Sequence, residues 1–175
     1  MASAIRSRFR IILDRIRTRI TVKTEIVTER IKIVELGDPP HFQGDHDVLL
    51  RPRGFQVDKG LWDGGGRIQT GLHRRLEVIC RTRLALDPAG EAGRYLLDAD
   101  DGHLAFEDRI FDAITGFMPM DSEEDENILC TEPIEPISGS DPVGASRTAK
   151  ATNWGETTLT FVVHYLADLD QTVLL

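Results

Sequence analysis

The stretch Gln69–Leu86, QTGLHRRLEVICRTRLAL, decides how this chain is read. Leu72, Leu76, Val78, Cys80 and Leu84 fall on one side of a period-two pattern, and His73, Arg75, Glu77, Arg81 and Arg83 fall on the other. Such alternation is the mark of a strand with one face in a core and the other wet or paired. The segment far exceeds the usual ~5–6 residues of a strand, which predicts a bend, a bulge or a protruding hairpin.

Toward the C-terminus, a turn around Asp87-Pro88-Ala89-Gly90 precedes a helix, with Asp100 and Asp101 as N-cap candidates. Leu104, Phe106, Ile110, Phe111, Ile114 and Phe117 form its apolar stripe, and Gly116 with Pro119 ends it. In ILCTEPIEPI, Pro133 and Pro136 place the strand at a sheet edge, because proline gives the ladder no donor. The closing strand, Glu156 to Leu166, points Leu159, Phe161, Val163 and Tyr165 inward and Thr158, Thr160 and His164 outward.

Toward the N-terminus, residues 48–67 alternate short apolar pieces with Pro52, Gly54, Gly60 and the run Gly64-Gly65-Gly66, which reads as an extended arm or irregular hairpin. Leu49, Leu50, Phe55, Val57, Leu61 and Trp62 are too apolar to leave in water. The arm therefore either meets a neighbouring subunit or partner, or folds back on its own sheet. Residues 3–19 carry Ile5, Phe9, Ile12, Leu13 and Ile16 at helical spacing, an amphipathic first helix. The β-branched stretch over residues 20–34 is read as a strand, although a helical period can also be traced through it.

The expected architecture is a single α+β domain over residues 1–175, with an antiparallel or mixed sheet, two main helices packed on it and the 48–67 arm as an insertion. With 175 residues, 41% hydrophobic and 29% charged, the chain can bury a core without metals or disulfides. Cys80 and Cys130 sit in alternating apolar stretches and read as buried free thiols. No membrane span is expected. Residues 1–32 hold nine Lys/Arg against three Asp/Glu (+6) and residues 33–175 hold twelve against twenty-six (−14). An acidic body disfavours stable nucleic-acid binding, and unlike charge on one chain favours protein pairing. The basic candidates for such contacts are Arg6, Arg10, Arg15, Arg17 and Arg19; the acidic ones are Asp121, Glu123 and Glu124; the arm offers Phe55, Leu61 and Trp62.

Chemistry-bearing patterns are weak. His41, Asp45, His46 and Asp47 cluster in one stretch, but their spacing matches no metal signature, and Asp98, Asp100 and Asp101 lack the glycine and glutamate of a calcium loop. The triple glycine lacks the lysine of a phosphate cradle. His73, His103 and His164 lie on separate elements. The expectation is no catalytic site, no cofactor and no metal.

The first helix, the long alternating strand, LAFEDRIFDAITGFMP, ILCTEPIEPI and the closing WGETTLTFVVHYLADL together resemble the tail terminator, or tail-to-head joining, proteins of long-tailed bacteriophages. The likeness rests on the helix ending in GF-x-P, the acidic linker, and the Trp-Gly before a last strand that ends in tyrosine. It implies a small α+β virion subunit, assembled in the host cytoplasm, that forms a hexameric ring. The ring caps the tail tube and joins it to head-proximal connector or stopper proteins, and DNA passes through without specific binding. A head-side stopper, tail-tube or baseplate subunit, or a small metal-dependent hydrolase, are the alternatives.

Overall fold

In the computed structural model, the described residues are 8–33, 45–62, 68–83, 102–119, 130–140 and 154–168. Helix α1 (Arg8–Thr24) is followed by a 3-10 turn (Thr28–Arg30) and strand β1 (Ile31–Ile33). Then come β2 (His46–Trp62), β3 (Ile68–Arg83), helix α2 (His103–Ile114), β4 (Glu135–Gly139) and β5 (Trp154–Asp168). The sheet order is β1-β2-β3-β5-β4, antiparallel throughout except for the parallel β1–β2 pair. The fold class is the α+β arrangement expected.

The alternation in β3 sorts its side chains as read. Leu76, Val78 and Cys80 are buried against Val48 and Leu50 of β2 and Leu159, Phe161, Val163 and Tyr165 of β5. Both helices cover this face with Phe9, Ile12, Leu13, Ile16 and Ile20 from α1 and Phe106, Ile110, Ala113 and Ile114 from α2. Burying a Leu, Ile or Phe is worth about 1.5–3 kcal/mol, so this one interlayer seam supplies most of the driving force.

Three expectations need correction. Residues 20–24 belong to α1, not to a strand, because the apolar stripe continues to Ile20, which is fully buried. The β-branched threonines that favour a strand here turn their hydroxyls back along the helix, Thr24 Oγ1 donating to the Ile20 carbonyl at 2.7 Å. The helix stops at Glu25, whose φ of 59° is left-handed, and only Ile31–Ile33 is strand. Second, the N-cap of α2 is Gly102, which makes no side-chain capping bond, and Asp100 and Asp101 lie outside the described residues. Third, residues 48–50 are not arm: Val48, Leu49 and Leu50 are buried and pair with β1 on one side and β3 on the other. Past them β2 runs on as the irregular hairpin that was the other reading of this stretch, paired with β3 and broken by register shifts between Pro52 and Phe55 and between Val57 and Gly60.

Other expectations hold. Gly116 ends α2 at φ 72°, a conformation glycine adopts at low cost, and its N–H donates to the Ile134 carbonyl at 2.9 Å. That bond ties the helix end to the approach of β4, the proline-bearing edge strand. Cys80 and Cys130 are free and buried, and burial pushes the Cys130 thiol up to about 12.

Candidate interaction surfaces

Beyond Pro52 the β2–β3 hairpin presents, on the face that carries the helices, Phe55, Val57, Leu72 and Arg74. Arg74 interrupts the apolar row between Leu72 and Leu76. Its guanidinium lies 4.6 Å from the Phe9 ring and 5.3 Å from the Phe55 ring, so two aromatic faces hold the cation. Phe9 in turn stacks on Tyr165 at 5.2 Å. Phe55 and Val57 remain 53% and 62% exposed, which marks the hairpin as apolar surface left in solvent. Since little of Phe55 is buried, Phe55→Ala is expected to shift unfolding stability by no more than about 1 kcal/mol, measured by urea titration.

Helix α1 offers a basic outer side. Arg10 and Arg17 reach Asp14 at 3.7 and 3.1 Å, Arg19 stacks over Phe117 at 5.3 Å, and Arg10, Arg15, Arg17 and Arg19 are all half-buried. These exposed or half-exposed helix pairs contribute little stability.

The opposite edge of the sheet differs in sign. Glu132 and Glu135 are exposed there, Ile137 is 51% exposed, and every residue of β4 faces solvent. The acidic body inferred from net charge is therefore uneven: residues 51–83 hold eight Lys/Arg against three Asp/Glu, whereas residues 121–135 hold seven Asp/Glu and no Lys or Arg.

A polar cluster lies under the start of α2. His103 is fully buried, with Nδ1 2.9 Å from Thr82 Oγ1 and Nε2 2.9 Å from Thr157 Oγ1. His46 Nδ1 reaches the same Thr82 hydroxyl at 3.2 Å while its ring packs on Phe106. Thr157 also bonds Glu107, which as a carboxylate can only accept. With Glu107 ionised, the donors run one way: Thr157 to Glu107, His103 Nε2–H to Thr157, Thr82 to His103 Nδ1, and His46 Nδ1–H to Thr82. Desolvation, with the neighbouring His46 charge, lowers the His103 pKa to about 4, so the ring is neutral at physiological pH. Burial also raises the Glu107 carboxyl. The threonine hydroxyls in the chain are buried, and burial lifts the nearby Cys80 thiol far above its ordinary range. The cluster seats α2 on β3 and β5; it does not present a nucleophile.

Of the residues singled out from sequence, Arg10, Arg15, Arg17 and Arg19 share α1 and Phe55 marks the exposed hairpin. Leu61 and Trp62 are backbone partners of Gln69 and Ile68 at the hairpin's far end. Arg6, Asp121, Glu123 and Glu124 lie outside the described residues. His46 and Asp47, half of the supposed metal cluster, are successive strand residues and point to opposite faces of β2, and His41 lies outside the described residues. Sequence reasoning missed Arg74, whose signal was a charge on the apolar register of β3, and Ile137. It also missed the contact of His103 with Thr82 and Thr157, residues 21 and 54 positions away, for which no local signal exists.

No family model matches the chain, and no curated protein matches it. Among solved structures, a chain of a particle described as "Virion of native gene transfer agent (GTA) particle" aligns with 89% of this chain and 94% of its own length. The identity is 14% and the TM-score 0.45, too distant to carry an argument about role. Among the described residues, no helix is long and apolar enough to cross a membrane.

Proposed function

We propose that the chain is a structural virion protein, a tail terminator that forms a hexameric ring, caps the tail tube and joins it to the head-proximal neck. The observation that carries this reading is that the motifs of the resemblance are joints of the fold. Gly116 of the GF-x-P ending ties α2 to the β4 approach, Gly155 of the Trp-Gly pair lets β5 pass the His103 ring, and Tyr165 near the end of β5 packs against Phe9. A likeness confined to loops would carry less weight.

The surfaces suit assembly. A ring of identical subunits needs two unlike, complementary patches on each copy, and this chain carries basic and acidic, partly apolar edges. The buried His103 ring is engaged in holding α2 to the sheet. Tail-tube protein on one side and a connector or stopper on the other are the partners this role requires, with DNA passing and not gripped.

Imaging of assembled particles tests the role. The expected result is density for this chain at the junction of head and tail. Its presence only in the tube, the baseplate or the head-side ring would replace this reading with another assembly role, and hydrolytic activity of the pure chain would remove the structural reading altogether.

A further inference from the structure

Resting on the ring-forming role, we propose that the outer edge of β2 beyond Leu50 receives the β4 edge of a second copy of this chain. β1 pairs only with Val48, Leu49 and Leu50, so among the described residues no strand pairs with the outer side of β2 from Arg51 onward. β4 closes the sheet at its other end, and none of the described strands lies outside it. Among the described residues, the sheet thus ends in two edges at its opposite ends with no further strand beyond either. Edges of that kind invite pairing with another chain.

The two edges are complementary in charge and share exposed apolar side chains. On the β2 side, away from the helices, Arg51 and Arg53 meet Glu77 at 3.7 and 2.8 Å and Arg75 of the adjoining β3 is exposed, so the three arginines outnumber Glu77 on that face. Phe55 and Val57 project from the helix-bearing face of the same edge, beside Arg74. On the β4 side, Glu132 and Glu135 precede the exposed Ile137. Desolvated Phe55, Val57 and Ile137 would supply the apolar centre, and the arginines and glutamates its rim. Duplex DNA fits the β2 edge less well, because Glu77 already takes two of its arginines and the other face of the edge carries exposed Phe55 and Val57.

The backbone limits the form of the contact. Pro52 and Pro136 cannot donate, and each lies at a register shift. A long continuous ladder between copies is therefore excluded, and side chains carry the contact. Because the patches are unlike, the pairing is head-to-tail and can close a ring; like-to-like dimers are disfavoured by charge.

Disulfide trapping on the full chain tests this. Val57→Cys and Ile137→Cys chains are mixed in a glutathione exchange buffer, with the unsubstituted chain as control, since Cys80 and Cys130 are buried. The expected result is a mixed disulfide formed about tenfold faster than either like-to-like disulfide, lost on Arg53→Glu and restored by Glu135→Arg in the partner. Like-to-like disulfides at equal rate, or a mixed disulfide indifferent to the charge reversals, overturn the proposal. So does duplex DNA that blocks trapping at physiological salt, which would assign the edge to nucleic acid. Light scattering separates this proposal from the role beneath it. Assembled parent chain without the mixed disulfide sinks the edge pairing and leaves the ring. A mixed disulfide in a chain carrying both cysteines that grows into open polymers, never closed rings, keeps the pairing and sinks the terminator.

Discussion

Lowering the pH from 7 to 4 is expected to cost the fold up to about 3 kcal/mol through His103 alone, since its pKa falls from 6.5 to about 4 on folding and one unit is about 1.4 kcal/mol. The sign follows from proton counting. A histidine with a depressed folded pKa binds fewer protons when folded, so its contribution is complete above the unfolded value of 6.5 and drains away as pH falls toward 4. Protonation adds a donor at Nδ1 facing Thr82 Oγ1, which already takes the His46 N–H, and puts a charge beside His46 in a site without exposed surface. Arg81 and Glu156, ion-paired to one another across β3 and β5, flank the site, and Glu156 eases the charge only in part. Glu107 acts in the opposite sense. Its carboxyl is raised by burial, so its protonation favours the folded state in acid and offsets part of the loss. Urea titrations at several pH values measure the balance. His103→Asn should start less stable and show a flatter pH dependence between 6.5 and 4. An equal slope in both proteins would move the acid sensitivity elsewhere.

The sequence made the sheet face legible wherever one side of a strand is buried. β3 and β5 alternate because Val78 and Leu159 meet in the core while Glu77 and Thr160 pair on the other face, and period two records that directly. The end of α1 was hidden for the opposite reason. Thr21, Val22 and Thr24 prefer strands intrinsically, but Ile20 packs in the core at a helical position and tertiary burial outweighs a few tenths of a kcal/mol of propensity. The surface was legible by type and not by place. Composition gave basic and acidic patches, yet net charge concealed that the basic share of residues 51–83 sits on one hairpin. The histidine cluster was invisible, because β2, β3, α2 and β5, distant in sequence, build it from polar residues that are unremarkable one by one.

Gly155→Ala is expected to destabilise the protein by about 3 kcal/mol, combining an overpacking cost of about 1–3 with the weakening of two buried hydrogen bonds at about 1 each. An ideal Cβ at Gly155 would lie 2.8 Å from His103 Cγ and 3.1 and 3.2 Å from its Cβ and Cδ2. The ring cannot swing aside cheaply, since Thr82 and Thr157 hold both nitrogens and the site is closed. Either both bonds break or the first turn of α2 lifts off β5. Backbone strain plays no part, because Gly155 does not occupy a left-handed conformation and alanine suits a strand better than glycine does. A double-mutant cycle isolates the cause. In a His103→Ala background the new methyl has no ring to meet, so the same substitution should cost less than about 1 kcal/mol and the coupling should reach about 2. An undiminished cost without the imidazole would show that Gly155 is required for the path of β5 itself, and that the Trp-Gly pair is conformational and not a seat for α2.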